Sequence, residues 1–158
     1  MVRHSDLIER IRFWRKADRI GPDILLTHWM LYFKSTMRRL CEIKFKCFGN
    51  GSEFRPGSYA EACSKISIGK NVVIRPGTFL FADPTTGGGE IIIEDKVLIG
   101  PGVHFYTNNH KFSNPDIPVY DQGYPDTNKN NTIILRKGSW IGAGAIILPS
   151  VHIGENAV

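Results

Sequence analysis

The sequence predicts an all-β solenoid, a parallel β-helix of six-residue repeats preceded by a helical segment. Three observations predict it. From Phe48 onward a bulky apolar residue opens each of ten six-residue units, at Phe48, Phe54, Ile68, Ile74, Ile93, Ile99, Leu135, Ile141, Ile147 and Ile153. The fifth position of every unit is small or β-branched: Ser52, Ser58, Val72, Thr78, Val97, Val103, Ser139, Ala145, Val151 and Ala157. The fourth reads Gly51, Gly57, Asn71, Gly77, Lys96, Gly102, Gly138, Gly144, Ser150 and Asn156, dominated by residues that tolerate a positive φ. A period of six fits neither a helix near 3.6 nor a plain strand at 2. It suits a chain that turns a corner every six residues, so that three units close one triangular coil. Pro56, Pro76, Pro101 and Pro149 fix φ just ahead of the corner. One large and one small inward side chain per unit fill a narrow interior.

Residues 1–47 read as helical. A helix is expected over residues 5–20, with Asp6 and Glu9 as its capping box and Leu7, Ile11, Trp14 and Ala17 on one face. Gly21-Pro22 ends it. A second helix is expected from Pro22 to Leu40, with Leu25, Trp29, Tyr32 and Phe33 among its apolar members and Lys34, Arg38 and Arg39 near its end. The chain has 158 residues and a formal charge of +5, and residues 1–46 hold all of the excess, with 11 Lys+Arg against 5 Asp+Glu. Such helices suit a cover for the first coil that also packs on a neighbouring subunit. Peripheral contact with anionic membrane lipid is the other use they fit.

Residues 48–158 form the repeat domain, with two interruptions. FADPTTGGGE separates Leu80 from Ile93, and a longer loop occupies residues 106–134, polar, rich in Asn, Asp and Pro, and holding one histidine. Long loops in compact domains commonly hold function. Cys41, Cys47 and Cys63 lack metal-type spacing and read as free thiols in a reducing compartment. Charges interrupt every apolar run of the N-terminus, so no signal peptide is expected, and Ile24–Phe33 is too short to span a bilayer. A cytoplasmic protein follows, at the inner face of the membrane if the basic helices bind there. The repeat domain has no net positive charge, which argues against nucleic acid as a partner.

The segment TNNHKF, followed by Gln122-Gly123 and then GSWIGAGAIILPSVHIG, resembles the sugar O-acetyltransferase branch of the hexapeptide-repeat acyltransferases, which includes maltose/galactoside-type and polysaccharide or lipopolysaccharide enzymes. The resemblance implies a left-handed β-helix, a homotrimer with active sites between neighbouring coils and the long loop reaching across, acetyl-CoA as co-substrate and a saccharide acceptor. It implies His110 as general base, and Trp140, Gly142 and Ala143 beside the cofactor. Histidine suits the role because its unperturbed pKa lies near neutrality. The other four histidines are less well placed, since His4 and His28 lie in the helical segment and His104 and His152 occupy outward positions. Asn108 and Asn109 stand where many relatives have an Asp-His-x-His run, so the group that orients His110 is open. Arg75 falls where the maltose/galactoside branch has an acceptor-site asparagine, which argues against a simple maltose or galactoside acceptor. Asp116, Tyr120, Asp121, Tyr124 and Asp126 in the loop are the residue types a sugar site uses. N-acetylation of an amino sugar or a nucleotide-linked amino sugar is the near alternative, and an inactive scaffold a further one. A zinc site like that of carbonic anhydrases with this fold is not expected, because clustered imidazoles are missing. The chain stops on a unit boundary at Val158. The coils that usually follow are expected to be lacking, which makes a truncated enzyme the third reading.

Overall fold

The computed structural model describes residues 3–125 and 131–158. Three N-terminal helices, α1 (His4–Lys16), α2 (Leu25–Met30) and α3 (Lys34–Lys44), lead into a stack of short strands, with one two-residue strand, β1 (Arg19–Ile20), between the first two helices. Each coil of the stack contributes one strand to each of three faces. The first face holds β2 (Cys47–Phe48), β5 (Ile66–Ile68), β8 (Ile91–Ile93), β11 (Ile133–Leu135) and β14 (His152–Ile153). The second holds β3 (Glu53–Phe54), β6 (Val73–Ile74), β9 (Leu98–Ile99) and β12 (Trp140–Ile141). The third holds β4 (Tyr59–Glu61), β7 (Phe79–Phe81), β10 (His104–Tyr106) and β13 (Ile146–Ile147). Neighbouring strands within each face are parallel, and β1 alone pairs antiparallel, on β4.

The repeat positions do what their chemistry requires. The ten bulky openers point inward, buried except for Ile153, which is partly so. All ten corner residues have positive φ, between 56° and 87°, Lys96 and Ser150 included. The small fifth position has a second duty at three of the four places where it is Ser or Thr, Ser139 instead bonding Arg136 O in its own unit. Ser52 Oγ donates to Gly69 O at 2.6 Å, Ser58 Oγ to Arg75 O at 2.9 Å and Thr78 Oγ1 to Gly100 O at 3.2 Å, each reaching the next coil. Buried hydroxyls are thereby satisfied while corner carbonyls gain a donor.

The corner at Gly138 shows why glycine is needed there. Its φ is +74°, and a Cβ would fall 2.3 Å from Oδ1 of Asn156 in the coil above. Gly138→Ala is expected to destabilise the fold by about 1–3 kcal/mol, read as a lower denaturant midpoint at unchanged slope. A midpoint equal to that of the parent would contradict the corner assignment.

Several expectations are corrected. The first helix ends at Lys16 rather than at 20, because Arg19 and Ile20 leave it to pair with Glu61 and Ala60 of β4. Asp6 is the third residue of that helix, not its cap, and accepts a hydrogen bond from the Arg3 N–H at 3.3 Å. The second helix is two. Phe33 is extended, at φ −119° and ψ 124°, and Thr36 Oγ1 donates to Met30 O at 2.6 Å across the break. This turn swings α3 across the open end of the first coil, where Met37, Leu40 and Cys41 are buried. Phe45 follows, packing on Phe54 with ring centroids 5.4 Å apart. Leu25, Leu26, Trp29, Tyr32 and Phe33 remain exposed. Burial pushes the Cys41 and Cys63 thiols far above their usual range, so both are poor nucleophiles.

The third face also turns inward the residues six after Phe54, Ile74 and Ile99, namely Ala60, Leu80 and Phe105, which open units that are not completed and so are absent from the ten. Each is followed by a departure from the repeat, at 62–65, 82–90 and 107–132, so the longest loop is a little shorter than the expected 106–134. All three departures leave the same corner, between the third and first faces. They also start in register, since Ala82 N–H donates to Glu61 O at 3.2 Å and Thr107 N–H to Phe81 O at 3.1 Å.

Candidate functional site

The stacked departures build two adjoining clefts. One, of 360 Å³, is lined by Tyr106, Asn108, Asn109, His110, Tyr124 and Leu148. The other, of 420 Å³, shares Tyr106, Asn108 and Tyr124 and adds Glu61, Phe81, Asp83, Thr85 and two prolines.

His110 follows two asparagines whose side chains each bond the next residue's backbone. Asn108 Oδ1 accepts from the Asn109 N–H at 2.8 Å, and Asn109 Oδ1 accepts from the His110 N–H at 2.9 Å. These bonds fix the backbone and leave the imidazole to its ring contacts, in particular Tyr124, whose centroid lies 4.4 Å away at 31°. The returning limb is held by Gln122. Its Nε2 donates to Asn114 O at 2.8 Å and to Ile117 O at 2.7 Å, while Lys111 N–H donates to Gly123 O at 2.9 Å. Thus Gln122 and Gly123 bring Tyr124 back onto His110. The hydroxyl of Tyr106 is held in turn by His104 Nδ1 at 3.0 Å.

The remaining sequence-derived candidates lie elsewhere. Asp121 sits exposed on the short helix α4 (Val119–Gln122) and lines neither cleft. Asp126 lies outside the described residues. Arg75 does not join His110. It lines a separate groove of 440 Å³ at the corner between the second and third faces, together with Leu98, Gly100, Pro101, Trp140 and Ala143. Trp140 is half exposed on the outside of β12, paired with Leu98. Gly142 and Ala143 rest on Gly100, where a Cβ would meet Ala143 N at 2.7 Å. Among the described residues no hydrogen bond is made by the Ala143 N–H, so it remains a donor for a ligand.

Sequence reasoning overlooked Glu61, Phe81, Asp83 and Tyr106. Their only signal was position, since each is the last residue of a strand or the second residue of a departure. Asp83 is buried, its Oδ1 accepting from Thr85 N–H at 2.9 Å and from Thr85 Oγ1 at 2.6 Å. Gly88 packs on the same carboxylate, close enough that a Cβ would lie 2.5 Å from Oδ2. Among the described residues no group of three or more His, Cys, Asp or Glu is arranged to hold a metal.

No family model matches the chain. Its sequence is 29% identical to the galactoside O-acetyltransferase of Lactococcus lactis over 129 residues, which are 70% of this chain and 59% of that protein. It is 34% identical to nodulation protein L of Rhizobium meliloti over 103 residues, 65% of this chain and 50% of the relative. The dTDP-4-amino-4,6-dideoxy-D-glucose acyltransferase of Escherichia coli is 27% identical over 137 residues, 75% of this chain and 71% of the relative. A crystal structure of a hexapeptide-repeat acetyltransferase from Vibrio cholerae, complexed with acetyl-CoA, superposes with a TM-score of 0.63 over 85% of this chain and 73% of that one, at 22% identity. The fold is that of the hexapeptide-repeat acetyltransferases. The solenoid is accordingly a left-handed parallel β-helix, a hand opposite to that of ordinary parallel crossovers. The chain spans about half the length of the first curated relatives it matches, from 47% to 59%.

Proposed function

We propose that the protein is an acetyl-CoA-dependent O-acetyltransferase that acetylates a hydroxyl of a saccharide, a surface polysaccharide or lipopolysaccharide precursor, with His110 as general base. The observation that carries this reading is the His110 cleft, in which an imidazole is held by Tyr124 beside Asn108 and Asn109 at the mouth of an apolar-walled recess. The imidazole takes the acceptor's hydroxyl proton as that oxygen bonds to the acetyl carbonyl carbon. The thioester C–S bond then breaks, and the departing thiolate receives the proton from His110. The free Ala143 N–H suits the oxyanion formed between the two steps.

The groove of Arg75, Leu98, Trp140 and Ala143 fits the co-substrate, with a cation for phosphate and an apolar wall for the pantetheine arm. Trp140→Ala is expected to raise the KM for acetyl-CoA about 10-fold through lost apolar contact, with kcat little changed. An unchanged KM would remove Trp140 from that role. Groove and His110 lie at different corners of one protomer, and a homotrimer that sets the loop of one subunit against the groove of the next would unite them. The exposed Leu25, Trp29 and Phe33, in a segment rich in Lys and Arg, suit peripheral contact with anionic lipid at the cytoplasmic face.

An amine acceptor is the second reading, favoured by the match to the Escherichia coli amino-sugar acyltransferase over 75% of this chain. Transfer from radiolabelled acetyl-CoA to hydroxyl and amine sugars tests both. An O-acetyl product is expected, released by mild base. A base-stable product would favour the amine reading, and no transfer to any sugar would defeat both.

A further inference from the structure

We propose that Gln122 is a positioning residue for the reaction: its side-chain amide locks the loop of residues 111–123, and through Gly123 and Tyr124 that lock holds the His110 imidazole in place. The proposal rests on His110 as general base for its purpose, though not for its geometry.

The imidazole has little else to hold it. His110 is exposed, and among the described residues neither of its ring nitrogens makes a hydrogen bond. The bond to Asn109 engages only the His110 backbone N–H. Among the described residues its one ring contact is Tyr124, at 4.4 Å between centroids and 31° between planes. The orientation of the ring is therefore set by where the returning limb of the loop puts Tyr124.

That limb cannot rely on burial. Every residue from Lys111 to Asp121 is exposed, Phe112, Ile117, Val119 and Tyr120 included, so no apolar core fixes the loop. Gln122, half-buried, fixes it by hydrogen bonds instead. Its Nε2 donates to Asn114 O at 2.8 Å and to Ile117 O at 2.7 Å, while its Oε1 accepts from the Asn114 N–H at 3.2 Å. Two carbonyls need donors and one N–H needs an acceptor, and a primary amide offers both from one terminus. The far side is preformed, since Asp116 N–H donates to Asn114 Oδ1 at 3.0 Å and Asp121 N–H to Pro118 O at 2.9 Å. Gly123 then turns the chain at φ 70° and ψ −150°, a region essentially reserved for glycine. Nothing lies within 4 Å of where its Cβ would stand, so the requirement is conformational rather than steric. Lys111 N–H closes the loop on Gly123 O at 2.9 Å, and Tyr124 follows.

A base held in place before the acceptor arrives needs no ordering during the reaction, and a displacement of about 1 Å is worth roughly 100-fold in rate. Gln122 lines neither cleft, so its effect falls on kcat through His110.

Proton NMR of the full chain tests this beside steady-state kinetics, read as CoA release from acetyl-CoA with methyl β-D-galactopyranoside or methyl β-D-glucosaminide. Stacking on Tyr124 should shift the His110 ring protons upfield in the parent, a signal assigned by its loss in His110→Ala. Gln122→Glu is equal in size, keeps an acceptor for Asn114 and loses both donors. It is expected to return that signal to the unstacked position and to lower kcat about 10- to 100-fold. The KM for acetyl-CoA and the melting temperature should not change, whereas a merely structural role would move the melt and leave the imidazole signal alone. Should Gln122→Glu not fold, Gly123→Ala makes the same test from the next residue, with the same losses expected. A signal absent from the parent, or unmoved in the variant, overturns the proposal, and so does an undiminished kcat where the parent turns over. His110→Ala without effect on CoA release, or a parent that releases none, defeats the reading of His110 as base and leaves the lock standing. Release lost in His110→Ala yet untouched by Gln122→Glu does the reverse.

Discussion

Substituting alanine for His110 is expected to slow acetyl transfer about 10²- to 10⁴-fold, the range in which a positioned general base contributes. The loss should fall on kcat, with the KM for acetyl-CoA unchanged, because the imidazole lies in a different groove from Trp140 and Arg75. Folding should be unaffected. His110 is exposed, and its loop is held by Gln122 and Gly123 rather than by the ring. Steady-state kinetics beside a thermal melt make the test, and near-parental turnover would sink the role assigned to His110.

The second large effect is on stability. Phe105 is fully buried on β10 between Leu80 and Ile147, and Tyr106 beside it faces outward into both clefts. Phe105→Ala is expected to cost about 3–5 kcal/mol through lost burial and the cavity left behind. Coils above and below are tied by backbone bonds and have little freedom to collapse into that space. A chain of this size should lose roughly 6–20 °C of melting temperature, and Phe105→Leu markedly less. A shift below 2 °C for the alanine variant would mean that the interior relaxes far more than this packing allows.

The period of six was legible because its demands are local. Lys96 and Ser150 are poor candidates for a left-handed corner by type, yet their place in the repeat identified them, and both adopt it. Ala60, Leu80 and Phe105 escaped because a departure, not a corner residue, follows each of them, so the period lapses where the third face ends. The break between α2 and α3 has neither Gly nor Pro to announce it. It follows from the need to lay Met37, Leu40 and Cys41 over the first coil. Half of the candidate site behaved in the same way. His110 and Trp140 stand in recognisable motifs, whereas Glu61, Asp83 and Tyr106 lie more than twenty residues apart and meet only through stacking of successive coils. No window along the chain contains that neighbourhood.

The shared corner has a further consequence. Asp83 and Asn108 each follow a registered strand end by two residues on successive coils, so the points at which their segments leave the solenoid are one coil rise apart, about 4.8 Å. Side chains do not choose this interval. The backbone bond from Thr107 to Phe81 does, as a gauge built into the scaffold. Inserting one whole coil between them would keep both at the same azimuth and double the gap, whereas a single six-residue insertion would rotate one of them by a third of a turn.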